Sequence, residues 1–295
     1  MKYYGVFFNP NAGNGKSEET ANQLKEELIK RQIEVEFLTA PSEEQGIERI
    51  ISSIDRLDAL VAIGGDGTLN CVGTAFIRKG KSIPFGVIPG GTINNFAKRW
   101  DIPLNIEEAI EVISVGETRK VSIGKCDNRA IISSFTFGRL ADISNDVRQS
   151  EKQKYGLVVY PYQALKHIGK NKSYLIRYKT DREVKELKTW ITLVTTTSYV
   201  GGLPYTIHDA NAFHVSILNN MSISKMMTYL RYAFTGELKK GKAVTYIETE
   251  KLEIINMDRE LDIQSRIDGD KGPSLPLTLE WKKDFLDLMI PVKKG

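Results

Sequence analysis

Apolar runs of strand length alternate with amphipathic segments of helix length through about the first hundred residues. The runs are rich in aromatic and β-branched residues, which favour strands, and we expect strands at 2–8, 35–39, 59–63 and 83–88. The segments between and after them predict helices at 17–31, 42–53, 68–78 and 106–115. This alternation predicts a parallel sheet with helices on both faces.

The pattern changes from about residue 118 onward, where short alternating runs follow one another closely. They predict strands at 120–126, 130–137, 173–178, 190–197, 212–218, 243–248, 251–255 and 275–281. Helices are expected near 155–168 and 224–234. Many short strands with few helices predict an antiparallel sandwich or barrel, so we divide the chain into domains 1–125 and 126–295.

A glycine-rich turn joins the third strand to the helix that follows it. Gly64, Gly65 and Gly67 surround Asp66, and Thr68 begins the predicted helix. Closely approaching backbone amides and a helix N-terminus suit phosphate oxygens. An acid among amides indicates a Mg²⁺ ion that links it to the phosphates of a nucleotide. Alternatively, Asp66 stabilises the turn by accepting hydrogen bonds from backbone amides.

Two other polar turns follow predicted strands. Asn9 follows the first strand, and the turn at 90–94 follows the fourth. Ligands of parallel sheets bind outside the carboxyl ends of the strands, so the three segments are expected to converge on one crevice. Taken alone, each glycine turn is also explained as an ordinary tight turn between a strand and a helix, since glycine is the residue that such turns most often require. Thr68 and Thr92 are expected to cap their helices and to offer hydroxyls to the nucleotide.

The segment 64–70, Gly-Gly-Asp-Gly-Thr-Leu-Asn, resembles the signature of the diacylglycerol kinase catalytic domain, which bacterial lipid kinases and sphingosine kinases share. Asn9-Pro10 and the segment 89–97 are similar to further motifs of that family. Near the end, Ile267-Asp268-Gly269-Asp270 resembles its Asp-Gly-Glu element. The matches keep the family's order and cover essentially the whole chain.

The resemblance implies an α/β nucleotide-binding domain like that of NAD kinases and phosphofructokinases, followed by a β-rich, sandwich-like, lipid-binding domain. It implies an active site in the cleft between the two, with ATP and Mg²⁺. Asp268 would be the catalytic base, although an Asp-Gly pair is also a common hairpin turn. The other implied site residues are Asn9, Gly64, Gly65, Asp66, Gly67, Thr68, Gly91, Thr92 and Asn94.

Two departures from the family's pattern concern acidic residues. Asn95 stands where family members commonly have Asp, although sphingosine kinase-like members also lack an acid there. In the segment 208–214, where bacterial relatives carry acids for a structural Mg²⁺ site, only Asp209 is retained. His208 and His214 are expected to be ordinary surface or core histidines, since no third ligand stands at suitable spacing.

Composition indicates a globular chain of 295 residues with 41% hydrophobic and 26% charged residues. Cys71 and Cys126 indicate buried thiols in a reducing compartment, and no apolar run is long enough to span a bilayer. We therefore expect a cytoplasmic protein. The net charge is +4, and the segment 148–188 holds 11 Lys and Arg against 4 Asp and Glu. Such a segment suits anionic lipid headgroups, or is simply a solvated face.

The preferred interpretation is an ATP- and Mg²⁺-dependent kinase that phosphorylates a hydroxyl of diacylglycerol or a related lipid. Its partners would be a lipid at the inner membrane face, which it contacts peripherally, and a second copy of itself in a homodimer. Nucleic acid is not expected, because no binding signature is present. The alternatives are an NAD or sugar kinase, and a nucleotide-binding regulator of the same fold without catalysis.

Overall fold

A computed structural model describes residues 2–10, 16–115, 117–138, 173–197, 199–200, 203–204, 211–219, 244–258 and 260–292. The helices predicted near 155–168 and 224–234 lie outside the described residues, and so does Asp209. The chain forms two compact units, Met1–Ser133 with Lys282–Gly295, and Ser134–Trp281.

The helices of the described residues all belong to the first unit. Their bounds are α1 Lys16–Lys30, α2 Glu43–Ser53, α3 Asp66–Lys79, α4 Asn95–Arg99 and α5 Ile106–Val115. The strands of that unit are β1 Lys2–Phe8, β2 Ile33–Phe37, β3 Ala59–Gly64, β4 Phe85–Pro89, β5 Glu117–Cys126 and β6 Arg129–Ile131.

The described strands of the second unit include two very short ones. Their bounds are β7 Ser134–Gly138, β8 Tyr174–Lys179, β9 Val184–Thr189, β10 Ile191–Thr195, β11 Tyr199–Val200, β12 Leu203–Pro204, β13 Phe213–Leu218, β14 Val244–Thr249, β15 Lys251–Asn256, β16 Gln264–Ile267 and β17 Asp270–Ser274. The last strand, β18 Leu277–Ile290, begins in the second unit and ends in the first.

The first unit is built on a parallel sheet with the order β2-β1-β3-β4-β18. Strand β3 is buried along its whole length because helices cover both faces. Its residues Leu60 and Ala62 pack in one core cluster with α2, α3 and α4. Ala59, Val61 and Ile63 pack in the other cluster with α1 and α5. The predicted α/β architecture is confirmed.

The second unit consists of antiparallel sheets. One has the order β9-β8-β15-β18 and the other β14-β13-β10-β7-β16-β17. Aromatic pairs join them: the ring centroids of Phe137 and Tyr178 are 6.4 Å apart, and those of Phe213 and Trp281 are 5.3 Å apart. The inner faces of two sheets that pack this way make a sandwich core. The β-rich second part of the fold is confirmed.

Several element bounds differ from those predicted. The predicted strand 130–137 is two strands, β6 and β7, and the units divide between them at Ser133 rather than at residue 125. Strands β9, β16 and β17 were not predicted, because charged and polar residues occupy much of their length. Strand β18 is longer than expected and returns to the first unit, since Leu288 pairs with Phe85 of β4.

Both cysteines are free and buried, as predicted. Burial raises the pKa of the Cys71 and Cys126 thiols to about 12, so neither is a reactive thiolate near neutral pH. Among the residues that the structure describes, no helix is long and apolar enough to cross a membrane.

Candidate functional site

Three segments follow the carboxyl ends of adjacent strands in the first unit. Phe8 pairs with Ile63, so Asn9 begins beside the end of β3. Gly64 pairs with Pro89, so the next residues of β3 and β4 leave the sheet at the same level. The carboxyl ends of β1, β3 and β4 therefore lie side by side at one edge of the sheet. The roles of the individual residues stay predictions.

The two glycine turns pack backbone against backbone. A Cβ atom on Gly91 would lie 2.5 Å from the Cα of Gly65, and a Cβ on Gly65 would lie 2.9 Å from the Cα of Gly91. The N–H of Gly90 donates a hydrogen bond of 2.9 Å to the carbonyl of Gly64. Any side chain at position 65 or 91 would push the turns apart, so glycine is required there for packing.

Asp66 connects the first glycine turn to the second. Its carboxylate oxygens accept hydrogen bonds from the backbone N–H groups of Asn95 at 3.0 Å and Phe96 at 3.2 Å. Those N–H groups open helix α4 and have no partner within it. Asp66 therefore caps α4 from a distant part of the chain. Asp66 does bond backbone amides, as its alternative role required, but these amides belong to α4 and not to its own turn.

Asn94 closes the second turn on itself. Its side-chain oxygen accepts the N–H of Gly91 at 3.0 Å, and its side-chain nitrogen donates to the carbonyl of Gly91 at 2.7 Å. The residue has a left-handed backbone with φ of 53°, which Asn tolerates better than most residues. This double hydrogen bond fixes the turn that faces Gly65.

The prediction that Thr68 and Thr92 cap their helices is wrong. Helix α3 starts at Asp66 with Gly65 as its N-cap residue, two residues earlier than predicted, because the extended backbone of Gly65 already directs the chain into the helix. Thr68 is the third residue of α3, and its Oγ1 would lie 2.2 Å from a Cβ on Gly64. Thr92 precedes Asn94, the N-cap residue of α4.

The start of α3 has the geometry of an anion site. The first N–H groups of a helix lack intrahelical partners and point along the axis, where the helix dipole also favours negative charge. Helix α3 has 14 residues, and the two residues before it, Gly64 and Gly65, carry no side chains. Phosphate oxygens are the ligands that such an arrangement binds best.

Asp268 lies in the second unit, in the hairpin between β16 and β17. Asp268 and Gly269 have φ of 52° and 93°, so the Asp-Gly pair forms the two-residue hairpin turn that the sequence also allowed. The N–H of Ser134 donates to Oδ1 of Asp268 at 2.8 Å, and the N–H of Asp268 donates to the carbonyl of Ser134 at 2.8 Å. The half-buried carboxylate is thereby held against the start of β7.

Known proteins resemble this chain in sequence, and a family model matches part of it. The model of the diacylglycerol kinase catalytic domain matches residues 4–126. Diacylglycerol kinase of Staphylococcus aureus strain bovine RF122 / ET3-1 is 28% identical over 294 residues, which are 97% of this chain and 91% of the relative. That of strain JH9 is 29% identical over 241 residues, 80% of this chain and 76% of the relative. Residues 4–126 thus match the diacylglycerol kinase catalytic domain, and the chain as a whole is similar to bacterial diacylglycerol kinases.

Solved structures resemble the fold of this chain along almost its whole length. A crystal structure of a diacylglycerol kinase from Bacillus anthracis str. Sterne matches with a TM-score of 0.79 at 17% identity, over 98% of this chain and 97% of that chain. A second structure from the same strain matches with a TM-score of 0.82 at 17% identity, over 98% and 95%. These likenesses show the fold. The catalytic domain that matches residues 4–126 is that of a kinase family.

The departures from the family's pattern have different outcomes. Asn95, in place of the common Asp, is 7% exposed and gives its N–H to Asp66. His214 is 2% exposed and contacts the Tyr246 hydroxyl, whose O–H donates to Glu248 at 2.9 Å, so it is a core histidine as expected. Within the described part of the chain, no cluster of three or more His, Cys, Asp or Glu side chains suits a metal ion.

Sequence reasoning missed the contacts that hold the site together. Gly90 bonds Gly64 across the turns, and Ser134 anchors Asp268 from a strand far away in sequence. The glycine content of both turns was a signal for close backbone approach. No local signal pointed to Ser134, because its contribution is a backbone N–H.

Proposed function

We propose that this chain transfers the γ-phosphoryl group of Mg-ATP to a hydroxyl of a lipid, diacylglycerol or a close relative of it. The observation that carries the proposal is the packing of the two glycine turns beside the first turn of α3. The first turn of a helix at the carboxyl ends of parallel strands suits the phosphates of a nucleotide. The match of residues 4–126 to the diacylglycerol kinase catalytic domain supports the same assignment.

The nucleotide phosphates are bound mainly by backbone in this proposal. Gly64, Gly65, Gly67 and Gly91 carry no side chains that would stand between the phosphates and the backbone, and the contacts between Gly65 and Gly91 hold the two turns together. Asn9 and Asn94 border the turns, and Thr68 and Thr92 offer hydroxyls. Because phosphoryl transfer depends chiefly on positioning and charge, a rigid cradle of this kind is what the reaction needs.

Asp66 is the residue of this cradle that would hold Mg²⁺ together with the nucleotide. Its oxygens accept the backbone N–H groups of Asn95 and Phe96, and carboxylate oxygens are also the ligands that Mg²⁺ takes in nucleotide sites. An acid beside a phosphate site would repel the phosphates without such a cation. When bound, the ion supplies neutralisation of the phosphate charge.

Asp268 is the proposed base. It would accept the proton of the lipid hydroxyl at a carboxylate oxygen as that hydroxyl attacks the phosphorus atom. The hydrogen bond from Ser134 to Oδ1 fixes the orientation of the carboxylate, which a base requires. Asp270 lies next in the same hairpin and is exposed, so it adds negative charge nearby without a defined contact.

The lipid acceptor follows from the relatives, which are named diacylglycerol kinases. An enzyme that takes such a substrate must reach a bilayer surface. We accordingly propose a cytoplasmic protein that contacts the inner membrane face peripherally and acts as a homodimer. The basic segment 148–188 supplies positive charge that anionic headgroups would attract.

The experiment measures transfer of labelled γ-phosphate from Mg-ATP to diacylglycerol, ceramide, sphingosine and polyprenol in mixed micelles. The parent chain is compared with Asp268→Asn. Asp127→Asn is the matched control, because Asp127 is also an Asp with positive φ in a hairpin turn, at 49° in the β5–β6 hairpin. Removal of a general base is expected to lower kcat by about 100-fold or more, with ATP binding retained.

The outcomes separate the possibilities. Label in one lipid, lost in Asp268→Asn and kept in Asp127→Asn, supports a lipid kinase with Asp268 as its base. Label that persists in Asp268→Asn would remove the base assignment and leave the kinase. Label in NAD or a sugar, with none in any lipid, would replace the lipid acceptor. Nucleotide binding without transfer to any of these acceptors would favour the regulator.

A further inference from the structure

Helix α3 packs one of its faces against strand β6 and the residue that follows it. Asn70, Gly73 and Thr74 stand three and four residues apart on α3, so they share that face. A Cβ atom on Gly73 would lie 2.9 Å from Cδ1 of Ile132 and 3.0 Å from the Cβ of Ala130. The helix and the strand are therefore in direct contact, and Asn70 and Thr74 are the polar residues of this face.

Both backbone polar groups of Ala130 are bound by these two side chains. The Ala130 N–H donates to Oγ1 of Thr74 at 3.0 Å, and the Ala130 carbonyl accepts from Nδ2 of Asn70 at 2.7 Å. The Thr74 hydroxyl donates to Oδ1 of Asn70 at 3.3 Å, which orients the amide. Asn70 is 5% exposed and Thr74 is 0% exposed, so water cannot replace these bonds. We call this pair of side chains the α3 clamp.

The chain between Ala130 and Ser134 is buried at every position. Residues 131–133 are at most 2% exposed, and Ser134 exchanges two hydrogen bonds with Asp268. Because protein interiors are close-packed, a short buried segment transmits a displacement rather than absorbing it. A shift of Ala130 is therefore expected to reach Ser134 and, through the two hydrogen bonds, Asp268.

The α3 clamp has no part in the nucleotide and base assignments made above. Asn70 is the last residue of the segment 64–70, yet its side chain bonds Ala130. A general base needs a fixed orientation toward the hydroxyl whose proton it accepts. We propose that Asn70 and Thr74 are positioning residues for Asp268, because they fix Ala130 and with it the start of β7, which holds the carboxylate. This inference rests on the proposed role of Asp268 as the base.

The first measurement is labelled-phosphate transfer by Thr74→Val and Asn70→Ala in the full chain. Valine has the branched shape of threonine but no hydroxyl, so Thr74→Val removes the acceptor of the Ala130 N–H. We expect kcat to fall about tenfold or more, since small displacements of catalytic groups are costly, and KM for ATP to change less than about twofold. Thr74→Ser keeps the hydroxyl and should retain most of the parent's kcat.

Amide hydrogen exchange, resolved to single residues by NMR, separates positioning from a general loss of stability. Under native conditions, exchange reports local opening as well as global unfolding. In Thr74→Val and Asn70→Ala, the amides of Ser134 and Asp268 should exchange about tenfold faster than in the parent, while the amides of β3 keep the parent's rates. General destabilisation would instead speed exchange in β3 as well.

Thr20→Val is the matched control. Thr20 is also a buried helical threonine, 5% exposed, and its helix α1 packs in the core cluster on the other face of the sheet. The variant makes the same chemical change away from the α3 clamp. It should leave kcat and the exchange of the Ser134 and Asp268 amides at the parent's values.

Several results would overturn the proposal. One is unchanged exchange at Ser134 and Asp268 in both α3 variants, and another is an equal loss of kcat in Thr20→Val. A rise in KM for ATP as large as the fall in kcat would place the effect at the phosphate site instead. If the parent transfers no phosphate to any acceptor, the proposed function fails, whereas the exchange comparison still decides whether the α3 clamp holds Asp268.

Discussion

Strand β3 of the first unit and strand β10 of the second bury different kinds of residue. Strand β3 is Ala-Leu-Val-Ala-Ile-Gly, and helices cover both of its faces. Strand β10 is Ile-Thr-Leu-Val-Thr, and its Thr192 and Thr195 are fully buried. Strand β3 of the parallel sheet buries no polar side chain, and polar residues follow it only after its end. Strand β10 of the antiparallel sandwich buries polar side chains along its length.

This difference decides how each unit depends on its residues. At the end of β3, the proposed phosphate site depends on two backbone turns that pack directly on each other, so substitution of their glycines should disturb it most. Inside the sandwich, the Tyr178 hydroxyl contacts Oγ1 of Thr189 at 2.8 Å and Oγ1 of Thr192 at 2.5 Å. There, stability rests on side-chain hydrogen bonds that have no access to water. Substitutions in the glycine turns and in the sandwich core should therefore affect stability and activity differently.

Gly91→Ala should have the largest effect. The new Cβ would lie 2.5 Å from the Cα of Gly65 and 2.7 Å from Oδ1 of Asn94, so the turns must separate. Overpacking of this kind costs about 1–3 kcal/mol. Displacing catalytic groups by about 1 Å can lower phosphate transfer by about 100-fold. Urea unfolding and the labelled-phosphate assay measure the two effects.

Gly90→Ala is the matched control for that change. Its Cβ would meet the Cα of Gly64 at 3.3 Å, which needs a much smaller shift. Its losses should therefore be clearly smaller than those of Gly91→Ala. Equal losses in the two variants would contradict the close packing of Gly65 against Gly91.

Tyr178→Phe should lower stability without lowering activity. The two threonine hydroxyls lose a buried partner, which costs about 1–3 kcal/mol in the free energy of unfolding. Burial also raises the pKa of Tyr178 above its ordinary value of about 10. The tyrosine therefore favours folding fully below pH 10, and that contribution is lost as the pH rises above it. The variant should lose less stability than the parent in that alkaline range.

Tyr3→Phe is the comparison for Tyr178→Phe. Its hydroxyl donates to Glu36 at 3.0 Å from a half-buried position, where water can replace the bond. The expected loss is about 0.5 kcal/mol or less. A loss as large as that of Tyr178→Phe would mean that burial does not set the value of these hydrogen bonds.

The sequence predicted the buried strands and the glycine turns well, because both depend on local signals. The apolar run of β3 and the glycines at 64 and 65 mark a strand and a tight turn by composition alone. Strand β9, Val-Lys-Glu-Leu-Lys-Thr, was missed because an edge strand carries charges that resemble those of a loop. The return of β18 to the first unit depends on a distant partner, β4, that no local pattern names.

The candidate site divides in the same way. The spacing of residues in the sequence predicted which residues form the two turns. It did not predict the hydrogen bonds that join the turns to each other and to α4. The capping of α4 by Asp66 joins residues 29 and 30 positions apart. The N-cap residue of α4, Asn94, makes no capping hydrogen bond with its side chain. The local sequence does not indicate that another segment caps this helix. Whether Asp66 also serves the nucleotide must be separated from this structural role by substitution.

Asp66→Asn and Asp66→Ala should distinguish the capping role of Asp66 from its proposed catalytic role. The Ala variant loses both hydrogen bonds to α4 and should lose about 0.5–2 kcal/mol. The Asn variant keeps one carbonyl acceptor and should lose about half of that. If the charge of Asp66 is needed for Mg-ATP, as proposed, both variants lose about 100-fold or more in kcat.

Asn94→Ala supplies the contrast, since it breaks the second turn by removing two hydrogen bonds to Gly91 but leaves the charge of Asp66 in place. Under the proposal it loses stability at least as much as Asp66→Asn but keeps more activity. If Asp66 only caps α4, activity should instead follow stability across all three variants, and Asp66→Asn would be the most active of them. Parallel measurement of urea unfolding and phosphate transfer on the same preparations distinguishes a positioning carboxylate from one that the nucleotide itself requires.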